Sequence, residues 1–280
     1  MTAAGLARRA ENDVVDHADG GGLAGTADLD DEALPGGNMN RVIRRGSQVH
    51  RDAGPWTPTI HRLLDHLRER GVTWLPQPAG MDGQGREVLT YLPGTVPAYP
   101  LPEWVWTEQI LTTTARWLAQ VHQAGIDFDT TGALWQLPAH HPAEVICLND
   151  VAPYNMVFDT DHQLTGWIDV DVASPGPRIW DLAYLAYRIV PLTGADDSGA
   201  GTPNLDRSHD RLATLCRAYT AASGVTIDPS AVLDTAVTRL GDLAEFTAAR
   251  AVAGADQVAH HAAIYRCDID WIRQHTDQLS

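Results

Sequence analysis

Ile146-Cys147-Leu148-Asn149-Asp150-Val151-Ala152-Pro153-Tyr154-Asn155, followed by Met156-Val157-Phe158, a polar stretch from Asp159 to Gln163, and Leu164 to Ala173, is the part of the chain on which its fold turns. Pro153 and Tyr154 lie between Asp150 and Asn155, and proline fixes its own φ, so the segment reads as a stiff loop. Met156 to Phe158 reads as an apolar strand, Asp159 to Gln163 as a turn, and Leu164 to Ile168 as a second strand. That strand runs into two acids, Asp169 and Asp171, which share a face by the two-residue period of extended chain.

These residue types suit one chemistry. A carboxylate such as Asp150 can orient a hydroxyl or accept its proton. Asn155 offers a neutral amide oxygen and Asp169 a charged one, and together they can hold a hard cation on phosphates. A single Asp or Asn in a loop usually only closes a turn. The ordered set is what carries weight: acid, four residues, amide, strand, turn, strand, acid. It is the arrangement that phosphoryl transfer to an alcohol requires.

Working outward, residues 1–33 are rich in Ala, Gly and Asp and poor in large apolar side chains, and read as an acidic, disordered tail. Met39 to Arg45 and Gln48 to Arg51 read as two strands around Gly46-Ser47. Gly36 and Gly37, just before them, could bring backbone N–H groups to a phosphate, although a Gly pair is more often only a turn. Thr57-Pro58 reads as a helix start, with Ile60, Leu63, Leu64 and Leu67 on one face and Gly71 at the end. Glu87 to Leu92 is a further strand. Beyond Pro97 to Pro102 the pattern turns helical: about Trp104 to Ala124, Trp180 to Ile189, and helices near 207–222, 229–252 and 257–277, with a Gly, Asp and Ser-rich loop over 194–204.

Composition limits the function. The net charge of −16 argues against a nucleic-acid partner and leaves room for a cationic small substrate. Asp234, Asp242, Glu245 and Asp256 are the acids on the late helices that could meet one, although acids on helix surfaces are usually only solvated. Three cysteines without a C-x-x-C pair argue against a disulfide framework or a cysteine zinc site and fit a cytoplasmic location. No apolar run approaches the length of a membrane span, and Arg8-Arg9 has no apolar stretch behind it of the kind a secretory signal carries.

The motif Leu148 to Asn155, the strand end Ile168-Asp169-Val170-Asp171, and Trp180-Asp181-Leu182-Ala183 resemble the aminoglycoside phosphotransferase family, which includes choline and other small-molecule kinases. The resemblance covers roughly residues 36 to 275 in element order and is sharpest over 146–190. It implies an α+β, two-lobed protein-kinase-like fold: a nucleotide-binding lobe over 34–94 and a helical lobe over 95–280 with the catalytic loop and substrate site. It implies an ATP- and Mg²⁺-dependent phosphotransferase acting on a small-molecule hydroxyl, such as an aminoglycoside-like antibiotic or an amino-alcohol. Asp150 would be the catalytic-loop base, Asn155 and Asp169 the metal ligands, and Asp171 an alternative or supporting ligand. Asp181 would hold the loop through backbone N–H groups. Leu89, Tyr91 and Leu92 would lead into the hinge whose backbone reads adenine.

Two positions depart from the family pattern. Leu148 stands where the family has a loop-bracing His. The chain contains no Lys, so Arg51, on the same strand face as Val49, takes the place of the phosphate-binding lysine. The first helix offers no obvious partner acid: Glu69 lies near its end and His61 nearer its middle. These departures support an alternative, a catalytically weak kinase-fold protein that binds nucleotide or a protein partner.

Overall fold

The structure, a computed structural model, describes residues 31–34, 42–193, 205–251 and 256–280. Gly36 and Gly37, the start of the expected strand at Met39, the 194–204 loop and the tail up to residue 30 lie outside the described residues.

An antiparallel five-stranded sheet comes first, in the order β1-β2-β3-β5-β4. Its strands are β1 (Asp31–Ala33), β2 (Ile43–Arg45), β3 (Gln48–Arg51), β4 (Pro78–Met81) and β5 (Glu87–Thr90). The tail expected to run to residue 33 thus stops short, because Asp31–Ala33 pair with β2. Register matters most between β3 and β5, where Val49 faces Leu89 and Arg51 faces Glu87. Helix α1 (Thr57–Glu69) buries Ile60, Leu63, Leu64 and Leu67, the stripe expected from spacing. Its cap is Trp56 and not Thr57, whose hydroxyl instead accepts from the Gly54 N–H at 2.9 Å.

The helical half opens with a single 3₁₀ turn, Glu103–Trp106, and α2 (Glu108–Ala124). One helix from Trp104 was expected. Thr107 interrupts it, adopting an extended conformation and capping α2 through its side chain. Strands β7 (Met156–Phe158) and β8 (Leu164–Trp167) form the expected hairpin. A second two-stranded unit joins β6 (Val145–Cys147) to β9 (Ser174–Gly176), a stretch that reads as a plain turn in sequence. This unit clamps both ends of the decisive segment, setting Cys147 opposite Ser174. Helices α3 (Arg178–Ile189), α4 (Leu205–Ser223), α5 (Pro229–Ala251) and α6 (Asp256–Leu279) complete the chain.

The sheet joins the helical half at a close crossing. Thr95 and Phe158 exchange backbone hydrogen bonds of 2.8 and 2.9 Å. Gly94 makes this approach possible: its φ is +147°, and a Cβ there would lie 2.5 Å from the Phe158 carbonyl oxygen. One continuous apolar core runs from α1 and Leu89 through α2 to α3, α4 and α5.

Candidate active site

Asp181, fully buried at the start of α3, is the anchor of the loop. Its carboxylate accepts the N–H of Leu148 at 2.6 Å and that of Asn149 at 2.8 Å. The two bonds fix the backbone just before Asp150. Two further groups complete the anchor, and neither stands out in sequence. His122 on α2 puts Nε2 3.2 Å from Asp181 Oδ2 and Nδ1 2.7 Å from the Tyr219 hydroxyl. Arg239 on α5 donates to the carbonyl oxygens of Trp180 and Asn149 and lies 3.9 Å from Asp181. Leu148 is itself buried, so the loop is braced from behind by α2 and α5 rather than by a side chain two residues before Asp150. Asn149 adopts φ +64°, a conformation that short polar side chains tolerate, and its amide ties the loop to Val172 O and Ser174 Oγ at 2.9 and 2.8 Å.

Asp150, thus presented, is held at both oxygens. The Tyr154 hydroxyl donates to Oδ1 at 2.7 Å, and the Asn155 amide nitrogen donates to Oδ2 and to the Asp150 carbonyl, both at 2.9 Å. Burial pushes the Tyr154 pKa well above its ordinary value and the Asp150 charge adds to this, so the phenol remains a donor at neutral pH. Because the Asn155 nitrogen is committed to Asp150, its amide oxygen is the atom suited to a cation. Asp150, Asn155 and Asp169 border one small pocket with Leu148, Val151 and Trp167. Asp169 stands at φ +65°, where the chain turns sharply after β8.

Arg51 crosses from the sheet to these acids. Its Nη1 lies 2.9 Å from Asp169 Oδ1 and 3.3 Å from Asp171 Oδ1, and its Nε lies 2.6 Å from Glu87 Oε2. Burial opposes the Arg51 charge, and Asp171 with Glu87 outweighs burial. The partner acid is therefore Glu87, directly opposite on β5, and not Glu69 on α1. His61 of α1 does take part, at 3.0 Å from Glu87 Oε1. Arg51 Nη2 is buried without a partner among the described residues. A buried guanidinium N–H lacking an acceptor beside a pocket edged by three oxygen donors fits a phosphate carried on a hard cation.

Not every expected contributor lies at this centre. Leu89 sits in the apolar core, Tyr91 lies under the Arg44 guanidinium at 4.1 Å, and Leu92 packs against Gly166 at the crossing. Asp234, Asp242 and Glu245 stand exposed on α5, and the side chain of Asp256 lies outside the described ones. Among the described residues, His122, Cys147 and Asp181 also bring three potential ligand atoms together. Asp181 is committed to the loop there, and burial pushes the Cys147 thiol well above its ordinary pKa, so this cluster reads as structural.

Comparison with known proteins fits this geometry. Residues 127–212 match the phosphotransferase enzyme family. The trifolitoxin immunity protein of Rhizobium leguminosarum bv. trifolii is 31% identical over 153 residues, 52% of this chain and 57% of that protein. The match thus spans little more than half the length of that relative. A choline/ethanolamine kinase family protein from Mesorhizobium loti superposes with a TM-score of 0.55 at 17% identity, covering 87% of this chain and 92% of its own. An amicoumacin kinase, solved with AMP-PNP and Ca²⁺, superposes with a TM-score of 0.61 at 12% identity, covering 86% of this chain and 88% of its own. The resemblance to the aminoglycoside phosphotransferase and choline kinase-like family is borne out, and the fold is protein-kinase-like, α+β.

Proposed function

We propose that this kinase-like chain transfers the γ-phosphate of ATP to a hydroxyl of a small molecule. The observation that carries the reading is the convergence of Asp150, Asn155 and Asp169 on one pocket, with Arg51 reaching the acids from the opposite side. In this reading Asp150 meets the acceptor hydroxyl. Tyr154 and Asn155 fix the direction of its carboxylate, which supports orientation of the hydroxyl at least as much as proton abstraction. Asn155 and Asp169, with Asp171 in support, would hold Mg²⁺. That ion, when bound, neutralises charge on the transferring phosphates. Arg51 would place its unpartnered Nη2 against a phosphate oxygen, as a planar fork instead of the point charge a lysine supplies. Adenine would lie against the backbone between Tyr91 and Thr95, at the crossing from the sheet to the helical half, and we take residue 94 as the boundary between the nucleotide lobe and the substrate lobe.

A relative named for immunity to a toxin supports a role in resistance to a toxic compound. Two observations favour an active enzyme over the catalytically weak alternative. Asp181, His122 and Arg239 brace the loop without a His at position 148, and Arg51 reaches Asp169 while held by a buried acid, Glu87. The test is ADP formation with ATP, Mg²⁺ and a panel of alcohols that includes aminoglycosides, amino-alcohols, sugars and hydroxy acids. At least one acceptor is expected to stimulate turnover, and Asp150→Ala is expected to lower it by about 10²–10⁴-fold. A panel that stimulates nothing, together with a chain that ATP·Mg²⁺ does not stabilise, refutes the reading.

A further inference from the structure

Linked to Asp150 through Tyr154 is a buried guanidinium of α3, Arg188, ringed by phenols. The Tyr154 hydroxyl that holds Asp150 lies 2.9 Å from the Tyr184 hydroxyl, which accepts from Arg188 Nη2 at 2.9 Å. Three hydrogen bonds therefore connect the Asp150 carboxylate to Arg188. The Arg188 guanidinium also lies 5.5, 5.1 and 5.0 Å from the ring centres of Tyr154, Tyr184 and Tyr187. Tyr99 and Tyr265 extend the aromatic cluster, their ring centres 6.1 and 6.4 Å from those of Tyr154 and Tyr187.

Two features make this more than a packed arginine. The residue is only 9% exposed, and its Nε–H has no hydrogen-bond partner among the described residues. Its neighbours are neutral hydroxyls at neutral pH. The acids facing the cluster, Asp150 and Asp268, are each reached through a tyrosine, Asp268 through Tyr187 at 2.8 Å. A buried cation with an unused donor is a costly arrangement unless something else completes it. The aromatic faces that would otherwise receive a substrate ammonium are already occupied by Arg188.

We infer that the tyrosine-ringed Arg188 recognises an oxyanion, and that the acceptor is a small alcohol bearing a carboxylate or phosphate, whose oxygens replace one of the tyrosine hydroxyls at Arg188. This rests on the phosphotransfer reading for the role of the hydroxyl, but the anion site itself does not. It also runs against the cationic acceptor suggested by net charge: the acids on α5 that could favour one are exposed, whereas the buried charge that the hydrogen bonds of Tyr154 and Tyr184 link to Asp150 is a cation.

The test compares matched alcohols on the full chain with ATP and Mg²⁺. Glycerate and glycerol 3-phosphate are the anionic probes, glycerol the neutral one, and ethanolamine and choline the cationic ones. Thermal stabilisation reports binding and ADP formation reports transfer. The anionic probes are expected to act at concentrations about tenfold or more below glycerol, the carboxylate and phosphate arms showing which oxyanion is preferred. Arg188→Gln is expected to erase that ratio and Arg188→Lys to retain part of it; if the glutamine variant does not melt cooperatively, the lysine variant and Tyr184→Phe decide. Preference for ethanolamine or choline, no stabilisation by either anion, or a ratio that these variants leave unmoved overturns the inference. Arg188-dependent stabilisation without ADP formation upholds the anion site and counts against phosphotransfer alone. ADP formation with choline but neither anion does the reverse.

Discussion

Asp181→Ala removes a carboxylate that has no exposure and four neighbours: two backbone N–H groups, His122 Nε2 and, at 3.9 Å, Arg239. Each backbone N–H left buried and unpaired costs about 1–3 kcal/mol. Stranding Arg239 beside the loop belongs with the truncation of a buried charge pair, about 3–5 kcal/mol. The contributions share one network and do not add in full, so a loss of about 4–6 kcal/mol is expected. Against a typical total of about 5–15 kcal/mol, such a change brings the chain near its unfolding threshold. Asp181→Asn is the sharper probe. It keeps one acceptor oxygen and turns an amide nitrogen towards the other donor, for a loss of about 2–3 kcal/mol. The assay is urea unfolding followed by tryptophan fluorescence, reading a shift in midpoint at constant slope. An asparagine variant within about 0.5 kcal/mol of the parent would refute the claim that this carboxylate holds the loop.

Other consequences follow from the same contacts. Burial pushes the Glu87 carboxyl up, but His61 and Arg51 outweigh it and hold its pKa below the ordinary value. A depressed carboxyl stabilises the fold above the unfolded value, about pH 4.3, and that contribution disappears as pH falls through the folded value. Glu87→Gln is therefore expected to lower the melting temperature at pH 7 and to flatten its fall below about pH 4; parallel acid limbs for the two proteins would contradict this. Among the thiols, Cys267 is exposed while Cys147 and Cys216 are buried, with burial lifting Cys216 to about 12. One thiol per chain is expected to react rapidly with a thiol reagent at pH 7.5, and the other two only after denaturation. At Gly166, a Cβ would fall 2.7 Å from Leu92 Cδ1 and 2.9 Å from Trp74 O, so Gly166→Ala is expected to cost about 1–3 kcal/mol by forcing the crossing apart.

Short-range pattern made part of this site readable and left the rest hidden. Asp150, Asn155, Asp169 and Asp181 fall within one stretch whose strands and turns announce themselves by alternation and proline; the first three border one pocket, and Asp181 sits behind the loop. Their supports come from far along the chain. His122 lies on the buried face of α2, where a lone His reads as core, and Arg239 lies on a long late helix with nothing local to distinguish it from a solvated arginine. Glu87 was visible as a strand residue, but only the β3–β5 register shows that it faces Arg51. Tyr154 was visible as loop material, and its role becomes clear only when α3 brings Tyr184 against it. The β6–β9 pair escaped notice because Ser174-Pro175-Gly176 has turn composition, and three-residue strands carry too little alternation to override it.

On the proposed reading, the pocket edge formed by Asn155 and Asp169, facing Arg51, binds nucleotide with a divalent ion. Calorimetric titration with AMP-PNP, in the presence and absence of Mg²⁺, tests it without any knowledge of the acceptor. The parent chain is expected to bind with a Kd of about 1 mM or tighter only when Mg²⁺ is present, Asp150→Asn to bind comparably, and Asp169→Asn to lose at least about tenfold. No binding by the parent, or equal binding by Asp169→Asn, would contradict it.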